Sequence, residues 1–306
     1  MTGTRRDFLT GGVALAAAAA LPMLGTIPTA LADDTKDKPK AALRLSSQVW
    51  IIPGKDLDEK LALMQKWGFD GVEISGDVVG NEKKYIDAVK KANLKISAVC
   101  GGAPNGDFVS EDAAKRTEAI KVLKRLLTSA GAVGAVGPIL VPAFNGQTKL
   151  GNFEIRKILV DTLPEIGEHA LKAGTRLILE PLNRKEAFFL RQVADAAAIA
   201  RDCKTDGIAV MGDFYHMYHE ETSDLGAFIS AGSRLHHVHL ATGVKRILPG
   251  QDERDYIEGF RGLKFIGYGG YCSFECGVDG DPMVEIPKSM AFLRDQWEKA
   301  TELKLA

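Results

Sequence analysis

The sequence predicts a (β/α)8 barrel, and three observations carry that prediction. Eight short β-type runs alternate with eight helix-patterned segments along residues 41–306, with no second linker to divide them. No glycine-rich dinucleotide turn follows the first run, as a doubly wound sheet would want. Ionisable residues gather at the ends of the last four runs, where a barrel of this kind keeps its chemistry. At 306 residues the chain is long enough for one large domain, and 45% hydrophobic residues supply its core.

Taken in order, residues 1–32 stand apart from the fold. Thr4-Arg5-Arg6-Asp7-Phe8-Leu9 precedes an apolar stretch over 13–24 and the small-x-small triplet Ala30-Leu31-Ala32. This resembles a twin-arginine signal peptide cleaved after Ala32, which implies the twin-arginine export machinery as a partner and a periplasmic or secreted protein. The apolar stretch of 12 residues is too short to cross about 30 Å of hydrocarbon, so no stable membrane anchor is expected. Residues 33–40, DDTKDKPK, form a charged linker, and the barrel occupies 41–306.

Strands are predicted over 43–50, 69–74, 94–100, 138–144, 176–180, 208–213, 235–240 and 271–276. Helices are predicted over 56–67, 82–92, 111–127, 153–173, 192–203, 223–231, 254–260 and 283–300. Each strand is followed by a helix, and that order makes the parallel barrel.

Charge excludes one class of partner. Lys plus Arg number 39 against 40 Asp plus Glu, and removing residues 1–32 leaves a net charge of −2, so no field draws the protein to phosphate backbones and no nucleic acid is expected. Cys100, Cys203, Cys272 and Cys276 lack metal-ribbon or thioredoxin spacing and read as buried small hydrophobes. On one strand, Cys272 and Cys276 would lie about 13 Å apart, beyond disulfide reach.

The strand ends carry the chemistry. Alternation puts Ile178 with Glu180, Met211 with Asp213, His237 with His239 and Ser273 with Glu275 on the inward face, and turns Leu179, Val238 and Phe274 toward the helices. Three carboxylates and an imidazole then converge on one mouth, where they would repel without a cation. Their hard and borderline donors suit Mn²⁺, with Mg²⁺ or Co²⁺ as alternatives. His169, His219 and His236 fall off this face and read as surface or packing residues, as does Trp67, whereas Trp50 is open to either a sugar-site or a packing role.

Glu180-Pro181-Leu182-Asn183-Arg184 with Glu186, Asp213-Phe214-Tyr215-His216-Met217, His237-Val238-His239 followed by Arg246 and Pro249-Gly250, and Phe274-Glu275 together resemble the xylose-isomerase-like sugar isomerase/epimerase superfamily. Within it the chain is most similar to ketose 3-epimerases and hydroxypyruvate isomerases. The resemblance implies metal ligation by Glu180, Asp213, His239 and Glu275. It also implies substrate contacts from His216, Arg246, Glu186 and Asn183, with Glu73 matching a strand-two glutamate of such barrels. Gln251-Asp252-Glu253 after Pro249-Gly250, and Arg191-Gln192, depart from the pattern of free-ketose epimerases.

A proton beside a ketone is too weakly acidic for a carboxylate to remove unaided, and a divalent cation on the adjacent oxygens would stabilise the enediolate. Glu180 and Glu275 would then be catalytic, serving as base and acid on its two faces, while His216 and Arg246 hold oxygens. The expected function is metal-dependent isomerisation or epimerisation of a small sugar or hydroxy-keto acid. Alternatives are a metal-dependent lyase or hydrolase acting on a keto-sugar or cyclitol, and a non-catalytic carbohydrate-binding barrel. Monomer and homo-oligomer both stay open.

Overall fold

Eight parallel strands alternate with helices over residues 40–303, the part of the chain that the computed structural model describes. The export signal expected over 1–32, and the linker up to residue 39, lie outside the described residues. The strands are β1 (Arg44–Ser47), β2 (Gly71–Ser75), β3 (Lys95–Cys100), β4 (Ile139–Leu140), β5 (Leu177–Leu179), β6 (Ile208–Asp213), β7 (Leu235–Leu240) and β8 (Tyr271–Phe274). Between and after them run α1 (Leu57–Trp67), α2 (Glu82–Lys91), α3 (Ala113–Ala132), α4 (Asn152–Ala173), α5 (Val193–Asp202), α6 (Phe214–Glu220), α7 (Asp224–Ala231), α8 (Ile257–Phe265) and α9 (Pro282–Lys299). Among the described residues, no helix is long and apolar enough to cross a membrane.

Hydrogen bonding links six strands in the order β1-β8-β7-β6-β5-β4 and pairs β2 with β3. Two single parallel bridges complete the ring, Gln48 with Glu73 and Val99 with Pro138. The fourth strand is far shorter than the predicted 138–144, because Pro138 and Pro142 have no N–H to give the ladder.

Side-chain alternation sorts the core into two compartments. Ala98, Ile139, Ile178, Ala209 and Met211 fill the barrel interior, while Leu179, Val238 and Phe274 join the larger apolar layer beneath the helices. The inward and outward faces read from period two are therefore the observed ones.

Helix starts follow local chemistry. Asp56, Asp112 and Asp281 cap α1, α3 and α9 by accepting backbone N–H bonds, and Pro282 occupies the first turn of α9. Helix α1 ends at Gly68, whose φ of +79° closes a left-handed cap that a side chain would strain.

Some expectations need correction. The short α6 was not predicted. It starts directly from the end of β6, where Asp213 caps it by accepting from Tyr215 N at 2.7 Å. Gly212 lets the Met217 and Phe228 side chains pack close against β6, since a Cβ there would stand 2.9 Å from both. Cysteines are not uniformly buried either: Cys203 and Cys272 are, but Cys100 and Cys276 are half-buried because they stand at the open ends of β3 and β8. Trp50 is 47% exposed and Trp67 packs at the edge of the core.

Candidate active site

Strands β5 to β8 deliver four side chains to one point at the C-terminal mouth. Glu180 follows β5, Asp213 ends β6, His239 lies near the end of β7 and Glu275 follows β8. One potential ligand atom from each falls within 4.8 Å of the others. His239 and Asp213 are fully buried and Glu180 is 5% exposed, so these charges are largely removed from water.

Asp213 divides its carboxylate between two duties. Its Oδ1 caps α6, which leaves Oδ2 facing the site, 3.1 Å from Arg246 Nη2 and 3.5 Å from His216 Nε2. Glu275 divides likewise. Its Oε2 lies 2.6 Å from Arg246 Nη2 and 2.7 Å from His239 Nδ1, while Oε1 accepts from Gln48 Nε2 at 2.8 Å.

The imidazole of His239 shows what this centre is built to hold. Its Nε2 lies 3.0 and 3.1 Å from the two oxygens of Glu73, a geometry that makes this nitrogen the donor. The opposite nitrogen, Nδ1, lies 2.7 Å from Glu275 Oε2 and 3.7 Å from Glu180 Oε1, yet among the described residues neither it nor Glu180 Oε1 makes a well-formed hydrogen bond. Buried lone pairs at this spacing call for positive charge among them; Arg246 supplies it at Glu275 Oε2 and Asp213 Oδ2, and a cation would serve Glu180 and His239 as well. The donor set fits a divalent cation held by Glu180, Asp213, His239 and Glu275, with Glu73 orienting the imidazole from behind.

The electrostatics also call for positive charge at this point, from a proton or a cation. Burial alone would depress His239, but the negative charges of Glu73 and Glu275 raise its affinity for a proton well above normal. Burial likewise opposes ionisation of Glu275, yet His239 and Arg246 outweigh it and hold the carboxyl down to about 2. Glu180 goes the other way: burial raises it, and the Glu275 charge adds to the rise. Two carboxyls at one centre are thus pushed apart.

Around this centre lie the remaining expected residues. His216 Nδ1 is within 2.8 Å of Asn183 Nδ2, and the same amide donates to Glu186 Oε1 at 2.9 Å, so Asn183, Glu186 and His216 form one linked group. Arg246 takes a left-handed φ of +52° and stacks its guanidinium 4.7 Å from the Tyr215 ring centre. Although its loop departs from the epimerase pattern, Arg246 still reaches the carboxylates of the centre. Glu73 is fully buried, with both oxygens engaged by histidines and one also by Gln48.

Two members of the network escaped sequence reading. His237 donates from Nε2 to Glu73 at 2.7 Å; its inward placement beside His239 was legible, its partner was not. Gln48, inside the predicted first strand and just beyond the observed β1, carried no motif signal, and its contacts lie in distant parts of the chain.

An eight-stranded parallel barrel with an acidic, cation-seeking centre at its C-terminal mouth defines a class of barrel whose site is built from strand ends. The chain matches the xylose isomerase-like TIM barrel family over residues 61–296, and it belongs to that family. It is 32% identical over 268 residues to the 3-dehydro-D-guloside 4-epimerase of Escherichia coli K12, an alignment covering 82% of this chain and 99% of that one. It is 26% identical to the L-ribulose 3-epimerase of Mesorhizobium japonicum, over 84% and 88% of the two chains. Among solved structures, the 3-keto-D-glucoside 4-epimerase of E. coli superposes with a TM-score of 0.76 at 28% identity, covering 83% of this chain and 100% of the other. These relatives are sugar epimerases.

Proposed function

We propose that the protein is a divalent-metal-dependent epimerase that inverts a carbon beside the ketone of an unphosphorylated keto-sugar, with a keto-glycoside as the favoured substrate class. The observation that carries this reading is the orphaned His239 Nδ1 facing Glu180 and Glu275 in a buried site. The preference for a glycoside over a free ketose draws on identity: 32% to the guloside epimerase against 26% to the ribulose epimerase, over similar lengths. Arg191-Gln192, which departs from the free-ketose pattern, weakens the case for a free ketose.

Mn²⁺ bound by Glu180, Asp213, His239 and Glu275 would supply Lewis-acid stabilisation of the negative charge that develops on the substrate's carbonyl oxygen. Glu275 would accept the proton from carbon, leaving a planar enediolate. Glu180 would return a proton to that carbon on the opposite face. Arg246 and His216 would hold the oxygens of the reacting carbons, with Asn183 and Glu186 fixing the ring of His216. For the reverse direction the two glutamates exchange roles. Export through the twin-arginine route, suggested by residues 1–32, would place this activity outside the cytoplasm.

The test is turnover in D₂O of the Mn²⁺-loaded mature protein with 3-keto-glycosides and free ketoses. Deuterium entering the carbon beside the carbonyl, with inversion there, is the expected result. Conversion with a C–O bond broken and no inverted sugar would replace epimerisation with elimination or hydrolysis.

A further inference from the structure

Gln48 stands at the point where the barrel closes. Its backbone N donates to Phe274 O at 3.1 Å, the residue before Glu275, and Val49 N donates to Glu73 O at 2.9 Å. The bridge between Gln48 and Glu73 is one of the two contacts that complete the ring. The Gln48 backbone is therefore pinned between the strand that carries Glu73 and the strand that delivers Glu275. Its side chain is 2% exposed and follows the same path.

That side chain makes one distinctive pair of bonds. The single amide nitrogen of Gln48 donates to Glu73 Oε1 at 2.9 Å and to Glu275 Oε1 at 2.8 Å, which uses both of its protons. The flipped amide would put a carbonyl oxygen against two carboxylate oxygens, so charge fixes the orientation. Cys100 Sγ also touches this corner, 3.5 Å from the amide and 3.9 Å from Glu275 Oε1, and His239 Nε2 reaches the same Glu73 Oε1 at 3.1 Å.

We infer that Gln48 is a positioning residue for the second glutamate of the proton-transfer pair: it fixes which oxygen of Glu275 faces the cation side and holds the other in the seam of the barrel. The inference rests on the epimerase reading above. A terminal carboxylate torsion is broad and nearly two-fold, so packing alone does not distinguish its oxygens. Here Oε2 faces His239 and Arg246, and the Gln48 N–H holds Oε1 on the other side. A neutral amide does this without cancelling the carboxylate's charge, as a lysine in its place would. Because the same nitrogen grips Glu73, the carboxylate behind His239 and the carboxylate in front of it are held in one frame.

The test uses the mature protein with Gln48→Leu, and with Gln48→Met as the second variant should the leucine disturb the seam. Metal-free and Mn²⁺-loaded crystal structures read the Glu275 side chain directly, and Mn²⁺ titration calorimetry reads affinity. The expected result is Glu275 Oε1 turned from its place, Mn²⁺ affinity within about threefold of the parent, kcat lowered by about tenfold or more, and KM within about threefold. An unmoved Glu275, an unchanged kcat, or an Mn²⁺ affinity that falls in step with kcat would each overturn the inference. If the parent turns over no keto-sugar, the epimerase reading fails, and the crystal structures still decide whether Gln48 sets the Glu275 conformation.

Discussion

Replacing Glu73 by glutamine should weaken Mn²⁺ binding although Glu73 is not among the four expected ligands. The carboxylate is fully buried and faces three donors: His237 Nε2 at 2.7 Å, His239 Nε2 at 3.0 Å and Gln48 Nε2 at 2.9 Å. A glutamine offers one acceptor oxygen to these three and brings an N–H₂ that must point at one of them. The cheapest escape is for His239 to move its proton from Nε2 to Nδ1, the nitrogen turned toward Glu180 and Glu275. A proton there must leave before a cation can bind, and the imidazole loses the negative partner that raises its basicity. Loss of such a partner costs about 10- to 100-fold in metal affinity, or about 1.4 to 2.7 kcal/mol. Calorimetric titration of the metal-free Glu73→Gln protein with Mn²⁺ at pH 8 measures it, with circular dichroism to confirm the barrel. Nitrogen chemical shifts of His239 should show the tautomer exchanged. A folded variant that binds Mn²⁺ within about twofold of the parent would refute the reasoning.

Other consequences are as direct. Glu275→Gln should keep substrate affinity within about tenfold and lose about 10² to 10⁴ in turnover, once metal occupancy is matched, as stopped-assay rates will show. Burial, then the charges of Arg176 and Arg234, lower His236 from 6.5 to about 4 in the folded protein. Below pH 6.5 the unfolded chain therefore takes up a proton that the folded chain refuses. Stability is full above that pH and declines as pH falls to about 4, by at most about 3 kcal/mol before screening at this half-buried site is allowed for. Urea midpoints of His236→Asn should decline less steeply than the parent's across that window; parallel curves would assign the acid limb to other groups. Arg5→Lys with Arg6→Lys should leave the protein in the cytoplasm on cell fractionation, whereas processed protein outside it would show another route.

The barrel and the four converging side chains were legible because both depend on short-range regularities. Period two set Ile178 and Glu180 inward against Leu179, and the strand ends are where such barrels leave polar residues uncovered. Helix α6 was hidden because Asp213 is at once the last strand residue and the cap, which leaves no loop to mark the boundary. Strand β4 was overextended because apolar residues over 138–144 suggest a strand, while two prolines deny it a ladder. Most of what escaped concerns the network behind the ligands. Gln48 reaches Glu275 across 227 positions and His237 reaches Glu73 across 164, so neither bond leaves a local signature.

The central claim is that Glu180, Asp213, His239 and Glu275 hold one divalent cation, and metal analysis of the purified protein tests it most directly. The account predicts about one Mn²⁺ per chain after loading and dialysis, and loss of that metal in folded Asp213→Asn and His239→Ala variants. A parent protein that carries no divalent metal and shows no affinity when Mn²⁺, Mg²⁺ or Co²⁺ is added would contradict it.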